Sequence, residues 1–226
     1  MYAERQCMKK KIISVQEVVE KIPEGATLMI GGFLADGTPE LIINELVKSG
    51  KKNFTVIAND TATPEKGIGK LIVNKQVKKA IVSHIGTNPE TQKQMIAGSL
   101  EVELVPQGTL AEKVRAGGFG LGGILTPTGI GTVVEDDKQV ILVEGKEYLV
   151  EPAIKADFSL IKAKKADLYG NLTFNLTAEN FNPLMAFAGE TTIVEIEELV
   201  PLGGITPAEA KVPHAVVDYM VRGESK

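Results

Sequence analysis

Gly31, Gly32 and Gly37 stand between an apolar run, TLMI, and a stretch that reads as a helix start. In such a turn, free backbone N–H groups and the positive end of the next helix can meet an anion. The missing side chains let it come close. A phosphate, a carboxylate or a thioester oxygen would each suit that chemistry. The same spacing also serves a tight strand-to-helix connection with no ligand. A nucleotide P-loop is excluded, because Thr38-Pro39 follows Gly37 where Lys and Ser/Thr are required.

Other chemistry-bearing residues form no complete set. GGFGLGG spells GxGxxG at Gly118, Gly120 and Gly123, but a helix-like stretch precedes it and ILTPTGIGT follows, against the dinucleotide pattern. Its glycines and Pro127 are expected to shape a long surface loop. His84 ends an apolar strand and reads as a hydrogen-bonded structural histidine. With His214 it shows no metal-ligand spacing, so no metal is expected. Glu144, Glu147 and Glu151 read as a solvated turn. Lys162, Lys164 and Lys165 read as a solvated basic face or the edge of an anion site. No GxSxG is present.

Helices and strands must position these groups. Ser14 through Ile22 reads as a helix with a Ser14–Glu17 capping box and Pro23 at its stop. After TLMIGG, Thr38 is the expected N-cap, Pro39 the first helical residue and Gly50 the stop. Strands are expected at FTVIAN, KAIVSH, EVELV, QVILV, EYLVE, ADFSLI and TTIVEI, and helices at Asn88–Ala97 and Thr109–Ala116. The alternation predicts an α/β fold: an open, mostly parallel sheet with helices on both faces. Val140–Val143 and Tyr148–Val150 flank EGKE as a small appended β-hairpin. Residues 1–226 read as a single domain, with 1–8 as a flexible extension, since Met8 opens the patterned sequence.

The 226 residues are 43% hydrophobic and 24% charged, a soluble globular composition. No apolar run reaches the roughly 18 residues of a membrane span, and MYAERQCMKKK lacks a secretory apolar stretch. The net charge of −4 and the absence of a basic stripe argue against nucleic acid. The one cysteine, Cys7, reads as a free thiol of a reducing cytoplasm.

GATLMIGGFLADGTPELI resembles the alpha-subunit signature of family I coenzyme A (CoA) transferases. IANDTATPEKGIGKLI, SHIGTNPET, VELVPQGTLAEKVRAGGFGLGGILTPTGIGT and GNLTFNLTAENFNPLMAFA resemble the same subunit, in order, from about Lys10 to Val221. The resemblance implies a fold of the sugar-isomerase and CoA-transferase kind, with CoA or acyl-CoA as substrate and no tightly bound cofactor. It also implies a beta subunit of related fold, commonly in an α2β2 assembly. The nucleophile would be the glutamate of a Ser-Glu-Asn-Gly motif on that subunit. The motif is absent here, AENF and VEGK being the nearest strings, so no catalytic residue is expected in this chain. Double displacement between short-chain acids such as acetate, butyrate and acetoacetate would follow. By the same resemblance Gly31, Gly32, Phe33, Leu34, Ala35, Asp36 and Gly37 are the CoA-binding segment, with Phe33 walling the thioester. Asp36 departs from the apolar or small residue that relatives carry. Asn59-Asp60 and Gly117–Gly123 are weaker candidates near the active site. Two alternatives are a sugar-phosphate isomerase or deaminase of similar fold and a non-catalytic acyl-CoA-binding protein.

Overall fold

The computed structural model describes residues 11–223. Cys7, Met8 and the expected extension lie outside them. Strand β1 (Lys11–Ile12) leads to helix α1 (Val15–Lys21). There Ser14 Oγ accepts from the Glu17 N–H at 3.1 Å and the Glu17 carboxylate accepts from the Ser14 N–H at 2.9 Å, the expected capping box. Alternation then proceeds through β2 (Thr27–Ile30), α2 (Glu40–Ser49), β3 (Phe54–Ile57), α3 (Gly69–Val73), β4 (Val77–Val82), α4 (Pro89–Ile96), β5 (Glu101–Leu104) and α5 (Gln107–Gly118). After α5 come β6 (Gly123–Thr126), β7 (Val140–Val143), β8 (Lys146–Pro152), β9 (Ala156–Asp167), β10 (Leu172–Thr173), α6 (Asn182–Ala188), β11 (Gly189–Val200) and β12 (Tyr219–Arg222). No helix among the described residues is long and apolar enough to cross a membrane.

The main sheet runs β1-β12-β11-β9-β2-β3-β4-β5 with every neighbouring pair parallel; only β10, folded back on the end of β9, is antiparallel. A parallel sheet needs cover on both faces, and its central strands, β2 and β3, bury residues on both. Successive residues of β2 divide accordingly. Leu28 and Ile30 join a core with Ile42, Leu46 and Leu71, while Met29 joins the opposite core with Leu110, Ile161 and Met185. From β2 the chain steps outward to β3, β4 and β5. On its other side β9, β11 and β12 come from the later half, with β1 at the far edge. The sheet therefore changes direction between β2 and β9. Ligands of open α/β sheets bind outside the carboxyl ends of strands at such a point. Gly31 to Gly37 leave β2 there.

Several expectations change in detail. β9 and β11 are twelve residues each, running together from Ala156↔Gly189 to Asp167↔Val200, well beyond ADFSLI and TTIVEI. The expected hairpin gains a third strand, β6, giving an antiparallel sheet in the order β6-β8-β7. The glycine-rich segment is not one long loop. Gly117 and Gly118 close α5, because a Cβ would lie 2.0 Å from the Ile154 carbonyl oxygen at the first and 2.6 Å from Phe187 Cβ at the second; Gly123 opens β6.

Candidate functional site

The turn after β2 is a tight reversal. Gly31 N–H still bonds to the Leu160 carbonyl of β9 at 3.0 Å, and Phe33 and Asp36 exchange both backbone bonds at 2.9 Å. Between them Leu34 (φ 49°) and Ala35 (φ 73°) are both left-handed, the backbone of a type I′ turn. Side chains resist that conformation, so the surroundings must impose it. Asp60 does so. It is buried after β3, and its Oδ2 accepts from the Leu34 N–H at 2.9 Å and from Asn59 Nδ2 at 2.7 Å, while Oδ1 accepts from the Ala62 N–H at 2.7 Å. Gln107, at the head of α5, donates to Asn59 Oδ1 at 2.6 Å. Asn59-Asp60 thus braces the turn.

Asn182 anchors the other end. Fully buried at the start of α6, it accepts from the Lys162 N–H of β9 at 3.0 Å. Its amide donates to the carbonyls of Gly37 at 3.0 Å and Ala178 at 2.9 Å. Gly31 lies so close that a Cβ there would sit 1.8 Å from Asn182 Oδ1. One on Gly37 (φ 74°) would sit 2.5 Å from Ala178 Cβ, and one on Gly32 (φ 125°) 2.2 Å from Thr38 Oγ1. The three glycines are therefore set by close approach and handedness.

Helix α2 is capped differently from the expectation. Pro39 occupies the N-cap with no side-chain bond, and Thr38 instead presses on Gly32. The carboxylate that caps the helix comes from β11: Glu195 accepts from Leu41 N–H at 2.8 Å and Ile42 N–H at 3.4 Å. Burial pushes the Glu195 carboxyl above its ordinary value, against the N–H bonds and the Lys162 charge that favour ionisation. The positive helix end is thus taken, and the anion-binding reading of α2 is corrected. The turn itself stays open. Among the described residues the amide N–H groups of Gly32, Ala35 and Gly37 have no acceptor.

Clefts flank the turn. One, of about 370 Å³, lies between Phe33 and Leu34, Asn59-Asp60 after β3, Ser83-His84 after β4, and Gln107. A second, of about 360 Å³, is lined by Phe33, Leu176, Thr177, Glu179 and Asn180. The third, of about 360 Å³, joins Asp36 and Gly37 to Lys162, Lys164 and Glu197. His84 is exposed in the first cleft, and its ring makes no hydrogen bond among the described residues, so the structural reading of it fails. Lys162 and Lys164 both pair with Glu197, at 3.1 and 2.7 Å; the nearer lysine lowers the Glu197 pKa. Glu197 therefore offsets one of these two charges, and Asp36 is exposed beside them.

Glu151 departs most from expectation. It is wholly buried under the small sheet, paired with Lys113 of α5 at 2.9 Å and with Lys138. Burial pushes its carboxyl up, but the bonds and charges of the two lysines outweigh that and hold it below the ordinary value. Gln107 and Asn182 went unnoticed in the sequence because single polar residues at helix starts carry no periodic signal.

Residues 12–223 match the family model described as Coenzyme A transferase. The chain is 50% identical over 214 residues to Acetate CoA-transferase subunit alpha of Escherichia coli K12, covering 95% of this chain and 97% of that one. It is 49% identical over 215 residues to the acetoacetyl-CoA:acetate/butyrate CoA transferase alpha subunit of Clostridium acetobutylicum, covering 95% and 99%. Among solved structures it superposes on the acyl-CoA transferase YdiF of E. coli O157:H7, determined as a thioester complex with CoA, with a TM-score of 0.83 and 25% identity. That match covers 96% of this chain and spans about half, 48%, of YdiF. These matches do not support the isomerase, deaminase or binding-protein alternatives. On the breadth of that agreement, this chain belongs to the coenzyme A transferase family.

Proposed function

We propose that this chain is the alpha subunit of a two-subunit acyl-CoA:carboxylate CoA-transferase, acting as a single domain in the cytoplasm. Its partner would be a beta subunit with a Ser-Glu-Asn-Gly motif, in a tetramer of two alpha and two beta chains. CoA would pass between short-chain acids of the acetate, butyrate and acetoacetate class, the acids named for its relatives. The observation that carries the reading is the turn from Gly31 through Gly37. It lies at the sheet's switch point with close backbone, open N–H groups and clefts on both sides of Phe33. Its amides would receive the acyl-CoA carbonyl or amide oxygens.

The partner's carboxylate attacks the thioester carbonyl, the C–S bond breaks, and a mixed anhydride and CoA thiolate form. The thiolate then attacks the glutamyl carbonyl, releasing the donor acid and leaving a glutamyl-CoA thioester. An acceptor acid runs the two steps in reverse. Remote binding of CoA by this chain lowers the barrier at the reacting carbon.

Co-expression with a beta subunit and a donor–acceptor matrix test the proposal. The lone chain should be nearly inactive and the pair fully active. Full turnover by the chain alone, or acyl labelling on one of its own glutamates, would overturn it.

A further inference from the structure

The first cleft beside the turn, of about 370 Å³, opens over the carboxyl ends of three neighbouring parallel strands. Phe33 and Leu34 follow β2, Asn59-Asp60 follow β3 and Ser83-His84 follow β4, with Gln107 at the head of α5. Open α/β sheets hold their ligands at such ends. Its polar side chains are already committed, with one exception. Asp60 accepts from the Leu34 N–H, Asn59 Nδ2 and the Ala62 N–H. Gln107 donates to Asn59 Oδ1, and Ser83 Oγ donates to the Asn59 carbonyl at 2.7 Å. His84 is exposed, and its ring makes no hydrogen bond among the described residues.

The imidazole is nonetheless held in place. The His84 carbonyl accepts from the Thr61 N–H at 3.2 Å, which fixes its backbone against the connection after β3. A Cβ on Gly86 would come within 2.8 Å of His84 Cε1, so the ring lies over the bare backbone of that glycine. A positioned ring with no partner is a hydrogen-bonding group presented to a ligand.

Distance decides what that ligand must offer. Strands two apart in a sheet are separated by about 9–10 Å. A small acid whose reacting carbonyl lies against the turn after β2 therefore meets His84, beyond β4, with an atom further along its chain. Imidazole carries an N–H donor in either protonation state. Of acetate, butyrate and acetoacetate, only acetoacetate has an acceptor beyond its carboxyl group, the oxygen on C3. The methylene of butyrate would displace water from the ring and leave it unpaired. Granted the transferase reading, on which this rests, we infer that His84 is a specificity residue for 3-oxoacids, its ring donating a hydrogen bond to the C3 oxygen.

The test uses the assembled complex with its beta subunit, acetyl-CoA as donor, and acetoacetate or butyrate as acceptors of equal chain length. His84→Leu should lower kcat/KM for acetoacetate about tenfold more than for butyrate, the effect of one lost hydrogen bond. His84→Gln keeps an N–H donor and should retain most of the preference. The site is exposed, so neither change disturbs the core, and circular dichroism checks folding. An acetoacetate-to-butyrate ratio unchanged by His84→Leu, whether both rates hold or both fall, would overturn the inference. So would a glutamine variant as impaired as the leucine one. A parent complex that transfers CoA to neither acid would instead sink the transferase reading itself, and the role of His84 with it.

Discussion

Gly31 and Asn182 occupy nearly the same space: a single methyl group on the glycine would reach within 1.8 Å of the Asn182 Oδ1. That oxygen holds the Lys162 N–H of β9, while the amide nitrogen holds the carbonyls of Gly37 and Ala178. One buried side chain therefore ties the turn to the two elements around it, and only glycine at 31 lets it fit.

Asn182→Asp keeps the size but replaces the donor to Gly37 and Ala178 with a second acceptor. Stability should fall by at least about 1–3 kcal/mol, measured by denaturant unfolding. In the assembled enzyme, Gly32→Ala and Gly37→Val should raise the KM for acyl-CoA far more than they lower kcat, since they alter binding and not the attacking group. An unchanged KM in both would remove the turn from the binding site.

Glu195 links pH to stability. Its carboxyl is raised by burial from 4.5, so the native state holds the proton more tightly than the unfolded chain does. Its contribution is complete below the unfolded value and declines as pH rises through the folded one. Glu195→Gln keeps an acceptor for Leu41 N–H and should flatten that slope. Glu195→Ala should cost about 1 kcal/mol, as loss of a cap does. Melting curves across acidic to neutral pH provide the comparison.

The Glu151 ion pairs have the opposite sign. The carboxyl is held low, so their stabilisation is present above 4.5 and lost as pH falls through the lowered value. Lys113→Met should destabilise by about 3 kcal/mol, because it strips one partner from a buried charge. Adding Glu151→Leu should recover much of that loss, by removing the charge itself. If the double variant is worse than the single, burial of Glu151 is not the source of the cost.

Glu179 stands in the cleft beside Phe33, 3.7 Å from Lys211, and is the acid of the chain's AENF string. A partner-borne nucleophile predicts that Glu179→Gln leaves kcat within about threefold of the parent, a surface-charge effect. Loss of turnover on the scale of a missing nucleophile would place the chemistry in this chain.

Local pattern was enough for the capping box at Ser14, the α/β alternation and the glycine turn after TLMI, because each depends on residues within a few positions of one another. β1 and β10, two residues long, carry too little periodicity to register, and β6 opens inside the glycine-rich segment that reads as a loop. What fills the turn's surroundings was illegible for another reason. Asn182 is 145 residues from Gly37, and Glu195 is 154 from Leu41. No spacing rule joins such pairs; they meet because β9 lies beside β2 and β11 beside β9, and α6 comes with them. The sequence by itself determined that glycines would line a turn at a strand end. Tertiary structure decided that a distant carboxylate would claim the helix start, leaving the turn's own amides open.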